Sequence, residues 1–144
     1  MEIQELHQLN PQQISDLLAL MTQLNPRLHV TPEMLQATVQ DPATHLFAAM
    51  EQGRIVGCAS LCVSHSPTGR KGRIEDVVVS SACRGQGLGR RLMQHLVDYA
   101  RTELSPIVLN LTSKPEREAA NRLYKALGFQ PYETNVYKLP LSEL

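Results

Sequence analysis

The feature that most constrains this chain is a junction near its middle. Arg73-Ile74-Glu75-Asp76-Val77-Val78-Val79 is the strongest strand signal in the sequence, dense in β-branched residues. Shortly after it comes Arg84-Gly85-Gln86-Gly87-Leu88-Gly89, and from Leu88 apolar residues recur at helical spacing through Leu92, Met93, Leu96, Val97, Ala100 and Leu104. A strand that feeds a glycine loop and then a helix sets backbone N–H groups at the positive end of the helix dipole, which suits an anion. A side chain at Gly87 or Gly89 would hold a phosphate off the backbone, and Arg84, Arg90 and Arg91 add full charges nearby. A turn that needs glycine only for its dihedral angles would look the same. The loop alone therefore names no ligand.

Spacing narrows the choice. A dinucleotide fingerprint starting at Gly85 needs glycine at position 90, where Arg90 stands. No G-K-[ST] occurs, so there is no nucleotide P-loop, and G-x-S-x-G and H-E-x-x-H are absent too. What fits is R-x-x-G-x-G, met by Arg84, Gly87 and Gly89.

The rest of the chain reads as a mixed sheet with helices packed on it, in the order β-α-α-β-β-β-α-β-α-β. Ile3 to Leu9 is a short first strand. Asn10-Pro11-Gln12-Gln13 and Thr31-Pro32-Glu33 open two helices with capping residues and proline in the first turn. Leu46 to Glu51 and Arg54 to His65 pair through a Gln52-Gly53 turn. Ile107 to Leu111 is a buried strand, Ser113-Lys114-Pro115-Glu116 has the form of a capping box, and Gly128-Phe129 ends the last helix with a left-handed cap. Asn135 to Leu139 reads as a final strand. With 144 residues, 42% of them hydrophobic, and no linker or repeat, residues 1–144 are expected to form a single domain.

Charge bounds the partners. Residues 1–52 carry six acids against the single base Arg27, and residues 53–144 carry a net of +5, so the whole chain is neutral. A compact basic region on a neutral protein suits a small anionic ligand and argues against nucleic acid. No apolar run is long enough to span a bilayer, which argues against a membrane. Met1-Glu2-Ile3-Gln4-Glu5 lacks the flank and core of a secretion signal, so a cytoplasmic protein is expected. Cys58, Cys62 and Cys83 read as free, mostly buried thiols, and no metal site is expected.

Two motifs carry a resemblance. The Ile74–Val79 strand with R-x-x-G-x-G, and the distal Ala119-Ala120-Asn121-Arg122-Leu123-Tyr124-Lys125-Ala126-Leu127-Gly128-Phe129, together resemble the GNAT superfamily of acyl-CoA-dependent N-acetyltransferases. Ile74-Glu75-Asp76 is similar to the glucosamine-phosphate acetyltransferases in particular. The motif region, 74–129, covers over a third of the chain; residues 1–65 match only in element order. The resemblance implies an α/β (α+β) fold: a mixed, mostly antiparallel sheet, splayed parallel strands four and five, and about four helices. It implies acetyl-CoA as cosubstrate and a small-molecule or peptide amine as acceptor, and it is compatible with a homodimer. A non-catalytic CoA-binding sensor or interaction module is the alternative.

The resemblance also assigns residues. Backbone groups of Val77, Val78 and Val79 pair with the pantetheine arm, and the amides of Gly85, Gln86, Gly87, Leu88, Gly89 and Arg90, with Arg84 beside them, hold the pyrophosphate. A backbone N–H of the fourth strand polarises the thioester carbonyl. Asn121 contacts the cofactor, and Tyr124 protonates the leaving thiolate. The two lie three residues apart, on one side of their helix. Many relatives carry Asn seven residues before this tyrosine, where this chain has Arg117. Glu75 and Asp76 are the carboxylates nearest the thioester. Alternation turns only one of them to the cleft unless a bulge intervenes, and Glu75 is preferred as the base. Nothing in the loops around 26–32, 65–72 and 130–137 spells out a particular amine.

Overall fold

The computed structural model describes residues 1–142. The elements are β1 (Glu2–Leu6), α1 (Pro11–Leu24), α2 (Pro32–Gln40), β2 (Thr44–Glu51), β3 (Arg54–Ser66), β4 (Gly69–Val79), α3 (Leu88–Tyr99), β5 (Val108–Asn110) and α4 (Glu118–Ala126). A 3-10 turn, Ser81–Cys83, follows β4, and a π turn, Ala100–Leu104, continues α3. The chain divides into two compact units, Met1–Leu111 and Thr112 onward.

The first unit holds one five-stranded sheet in sequential order, β1-β2-β3-β4-β5. The first three pairings are antiparallel and β4–β5 is parallel, so the expected mixed sheet is present, with four α-helices among the described residues. Local signals act as read. The Asn10 side chain accepts from the Gln13 N–H, and the Gln13 side chain accepts in return from the Asn10 N–H, with Pro11 in the first turn. Thr31 caps α2 one way, its hydroxyl accepting from the Met34 N–H at 3.2 Å. Gln52 and Gly53 have φ of 49° and 77°, the doubly positive turn whose twist matches a two-residue hairpin.

Alternation along β2 divides the core. Leu46 and Ala48 pack with Leu17, Leu20, Met21, Leu35 and Val39 of α1 and α2. Phe47 points the other way, edge-on to His95 and Tyr99 of α3, with ring centroids at 5.4 and 5.2 Å. Each fully buried Leu or Phe contributes on the order of 1.5–3 kcal/mol. The register of α1 is fixed by a polar contact as well: the buried Asp16 carboxylate accepts from Arg54 Nη2 at 2.7 Å and from the Ile55 N–H at 3.0 Å.

In the second unit α4 ends as its sequence requires. Gly128 has φ of 103°, its N–H reaches the Lys125 carbonyl at 3.1 Å, and the Phe129 N–H reaches the Tyr124 carbonyl at 3.0 Å. That double bond closes the helix, with Tyr124 and Phe129 supplying the accompanying apolar contact at 6.2 Å.

Four expectations need correction. β5 spans only Val108–Asn110, not Ile107 to Leu111, and as an edge strand it is not buried, with Val108 63% exposed. β1 stops at Leu6, the last residue with a β2 partner, and not at Leu9. Residues 135–139 form no strand: Val136, Tyr137 and Leu139 are all more than 70% exposed, and alternation makes a strand only where a partner takes the backbone groups. The capping box at Ser113–Glu116 does not form either, and α4 begins at Glu118. The Lys114 and Pro115 carbonyls, which would take the first bonds of an earlier helix, accept instead from the Asn121 side-chain amide at 3.0 and 3.5 Å. The Ser113 hydroxyl is left buried without a partner.

Candidate active site

The site in the first unit begins where two strands part. β5 pairs with β4 only at Lys71↔Val108, Gly72↔Leu109 and Arg73↔Asn110, while β4 runs on to Val79. Gly72 permits the approach at the closed end, since a Cβ there would lie 2.7 Å from Leu109 Cδ2 and 2.9 Å from Leu61 Cδ1. Beyond Arg73, β4 has β3 on one side and, among the described residues, no strand on the other.

A bulge lies in that open stretch. Ser60 pairs with Glu75 and Cys58 with Val78, so β4 uses one more residue than β3 over this interval. Asp76 takes the strain, with φ of 54° in the left-handed region that non-glycine residues rarely adopt. The extra residue resets the alternation. Glu75 and Val78 share one face, and Val78 joins the core under α1 and α2. Asp76 is exposed at the bulge itself. Opposite it, burial pushes the Cys58 thiol up to about 12, with the Asp76 charge adding to the shift, so Cys58 is an inert core residue.

Glu75 is half-buried, and its carboxylate is paired with Arg73 Nε on the same face of the strand. Burial first, and then the Glu75 charge, push the Cys62 thiol above its ordinary range. The pair engages one carboxylate oxygen of Glu75 and leaves lone pairs available beside the open edge.

β4 ends in a clamp that neither motif announces. The Ser80 N–H reaches the Val56 carbonyl at 2.7 Å, so in the alternating ladder the groups of Val79 point away from β3. The Gln23 side-chain amide, from the last turn of α1, donates to the Val79 carbonyl at 2.7 Å and accepts from the Ser81 N–H at 2.9 Å. The 3-10 turn then leads into the glycine loop. Gly85 and Gly87 have φ of 81° and 73°, and a Cβ on either would meet no atom within 4 Å. Gly87 is the N-cap of α3, whose first bond runs from the Arg91 N–H to the Gly87 carbonyl at 3.1 Å. The N–H groups of Leu88, Gly89 and Arg90 thus precede the helical ladder. Arg84, Arg90 and Arg91 are exposed, and no ion pair among the described residues engages them.

Asn121 and Tyr124 belong to the second unit, on α4. Tyr124 is buried, and its hydroxyl makes no hydrogen bond among the described residues. Burial pushes its phenol above the ordinary range, while Arg117 pulls in the opposite direction. Asn121 has its amide nitrogen on the Lys114 and Pro115 carbonyls, leaving its side-chain oxygen as the free end. Arg117 is the N-cap residue of α4 and is exposed.

Gln23 and Asp16 were not legible as site or framework residues. Each acts across more than 35 positions of sequence, and nothing local marks a polar helix residue for such a contact. Among the described residues no group of three His, Cys, Asp or Glu could hold a metal ion, and no helix is long and apolar enough to cross a membrane.

A bulged strand that parts from its parallel neighbour and runs into an arginine-flanked glycine loop is the arrangement of an acyl-CoA-dependent acetyltransferase fold. The Acetyltransferase (GNAT) family matches residues 11–129, and the chain belongs to that family. Glucosamine 6-phosphate N-acetyltransferase 1 of Oryza sativa subsp. japonica is 33% identical, the match covering 67% of this chain and 67% of that protein. The N-alpha-acetyltransferase RimI of Mycobacterium tuberculosis is 29% identical over 69% of this chain, and the match spans only 60% of that relative's length. Among solved structures, a putative acetyltransferase from Agrobacterium tumefaciens superposes with a TM-score of 0.83 at 25% identity, covering 97% of this chain and 100% of that one.

Proposed function

We propose that this chain, acting as a single cytoplasmic domain, transfers the acetyl group of acetyl-CoA to a primary amine by direct attack in a ternary complex. The observation that carries the reading is the open, bulged end of β4 continuing into a glycine loop where a Cβ would meet nothing. An extended pantetheine arm fits such an edge as an added strand would, on the outward backbone groups of the Val77, Val78 and Val79 stretch, chiefly the Val79 N–H, since the backbone of Val78 turns to β3 and Gln23 holds the Val79 carbonyl. The pyrophosphate then meets the amides of Gly85 to Arg90, with Arg84 adjacent.

The chain's own groups supply the remaining chemistry. Deprotonating an amine with a pKa near 10.4 costs about 4–5 kcal/mol at pH 7, so a base helps, and Glu75 is that base. A strand-four N–H bears the developing oxyanion charge. Tyr124, buried and neutral with its hydroxyl uncommitted, protonates the departing thiolate, and Asn121 contacts the cofactor. Relatives named for a sugar phosphate and for N-alpha-acetylation share only an amine acceptor, which is as far as the acceptor class carries over.

The test is a thiol-release screen with acetyl-CoA against polyamines, amino sugars, amino acids, aminoglycosides and N-terminal peptides. Turnover with any amine supports the transferase. Acetyl-CoA binding with no turnover across the panel would replace it with the sensor or interaction module.

A further inference from the structure

We infer that Gln23 is a positioning residue for the anion loop: its side-chain amide stands in for a peptide group of a neighbouring strand and sets the direction in which the chain leaves β4. The inference rests on the CoA reading of the loop, but its geometry does not.

An amide is the one neutral side chain that offers a donor and an acceptor in a plane, as a peptide does. Gln23 uses both ends. It donates to Val79 and accepts from Ser81, the residues on either side of Ser80, which makes the last ladder bond from β4 to β3. The ladder thus gains one more rung on the edge where, among the described residues, no strand lies. The anchor is rigid, because Leu17, Leu20 and Met21 of the same helix are buried and Asp16 ties that helix to β3. Within the 3-10 turn the Cys83 N–H bonds back to the Ser80 carbonyl at 2.9 Å, so the direction fixed at Val79–Ser81 passes directly to Arg84 and Gly85. Three glycines leave the loop with much backbone freedom, and a loop that must aim several N–H groups at one anion gains from a fixed entry.

The chemistry predicts how substitutions differ. Gln23→Leu removes both bonds. Gln23→Glu keeps the acceptor for Ser81 but sets a carboxylate against the Val79 carbonyl at neutral pH. Protonation of that carboxyl restores an O–H donor, so the defect is relieved in acid.

Two measurements test this, with coenzyme A as the probe. In the ligand-free protein, exchange of the Ser81 amide should accelerate about tenfold or more in Gln23→Leu, the expected effect of losing its hydrogen-bond partner. By calorimetry at pH 7.5, both variants should bind coenzyme A about tenfold more weakly than wild type. At pH 5 the Gln23→Glu deficit, taken against wild type at the same pH, should narrow to about threefold or less while that of Gln23→Leu persists. A purely structural role would lower Tm and leave the affinities and their pH dependence unmoved. Affinities within about twofold of wild type for both variants at pH 7.5 would overturn the inference. If wild type itself fails to bind coenzyme A, the function reading falls, and the Ser81 exchange rate still decides the clamp: no change in Gln23→Leu refutes it.

Discussion

Replacing Gly87 by valine separates two demands on one residue. Gly87 has φ of 73°, where an L-residue loses roughly 1–2 kcal/mol, more if β-branched. A Cβ there meets no protein atom within 4 Å, so there is no added clash. The free variant should therefore fold, with Tm lower by roughly 3–7 °C for a domain of this size. The ligand effect is of a different kind. Acetyl-CoA at a hundredfold its Kd stabilises wild type by about 2.7 kcal/mol, or roughly 8–10 °C. In Gly87→Val that shift should vanish, because the side chain occupies the space a pyrophosphate needs.

A matched control exists within the chain. Gly53, in the β2–β3 turn, has φ of 77° and likewise nothing within 4 Å of a Cβ. Gly53→Val should show a similar loss of Tm with the acetyl-CoA shift intact. Thermal unfolding of the three proteins with and without acetyl-CoA, backed by calorimetry, is the assay. A full shift in Gly87→Val would remove the glycine loop from the site. A lost shift in Gly53→Val would show that backbone strain alone accounts for the effect.

Further outcomes follow from other positions. Tyr124→Phe should keep acetyl-CoA affinity and fold but lose on the order of 10²–10⁴ in kcat, with the wild-type alkaline limb due to this phenol falling above its ordinary pKa of about 10, as checked by pre-steady-state rates across pH. Glu75→Gln should lower kcat/KM most at neutral pH and recover as pH approaches the amine's pKa; a pH-independent loss, or a larger pH-dependent one in Asp76→Asn, would take the base role from Glu75. Asp16→Asn should cost about 1–3 kcal/mol at pH 7 by weakening the bonds from Arg54 and the Ile55 N–H. Arg54 holds the Asp16 carboxyl below its ordinary range, so its contribution is complete above the unfolded value near 3.9 and is lost as pH falls through the lower folded value. Denaturation of wild type and Asp16→Asn should therefore converge in strong acid.

Sequence signals were faithful wherever a residue acts on its own neighbourhood. Asn10, Thr31, Gln52-Gly53 and Gly128 each do what their local chemistry dictates. They failed where a distant group decides. Ile74 to Val79 reads as an uninterrupted strand, and the residue inserted at Asp76 follows from Val78 seating in the core beside α1 while Glu75 stays opposite Ser60. Before α4 the Lys114 carbonyl accepts from the Arg117 N–H in a turn and, with the Pro115 carbonyl, from the Asn121 side-chain amide, an arrangement no local signal marks. Val136 to Leu139 has a strand's alternation without a ladder to join.

The same division separates the proposed donor side of the site from the acceptor side. The proposed CoA contacts are made by backbone: an unpaired strand edge and the N–H groups of a glycine loop. Backbone geometry is written locally, by β-branched runs and by glycines at positive φ, so two short motifs suffice to specify it. Recognition of an amine falls to side chains whose directions are set by their neighbours. In the β3–β4 turn, Lys71 Nζ is spent on Ser66 Oγ at 2.7 Å and Thr68 Oγ1 at 2.8 Å, and Arg73 is spent on Glu75. Two cations of the basic region are thereby held by their own strand and turn. Which charges of this chain stay free to meet a ligand is therefore decided by such pairs, and not by the residue types a sequence displays.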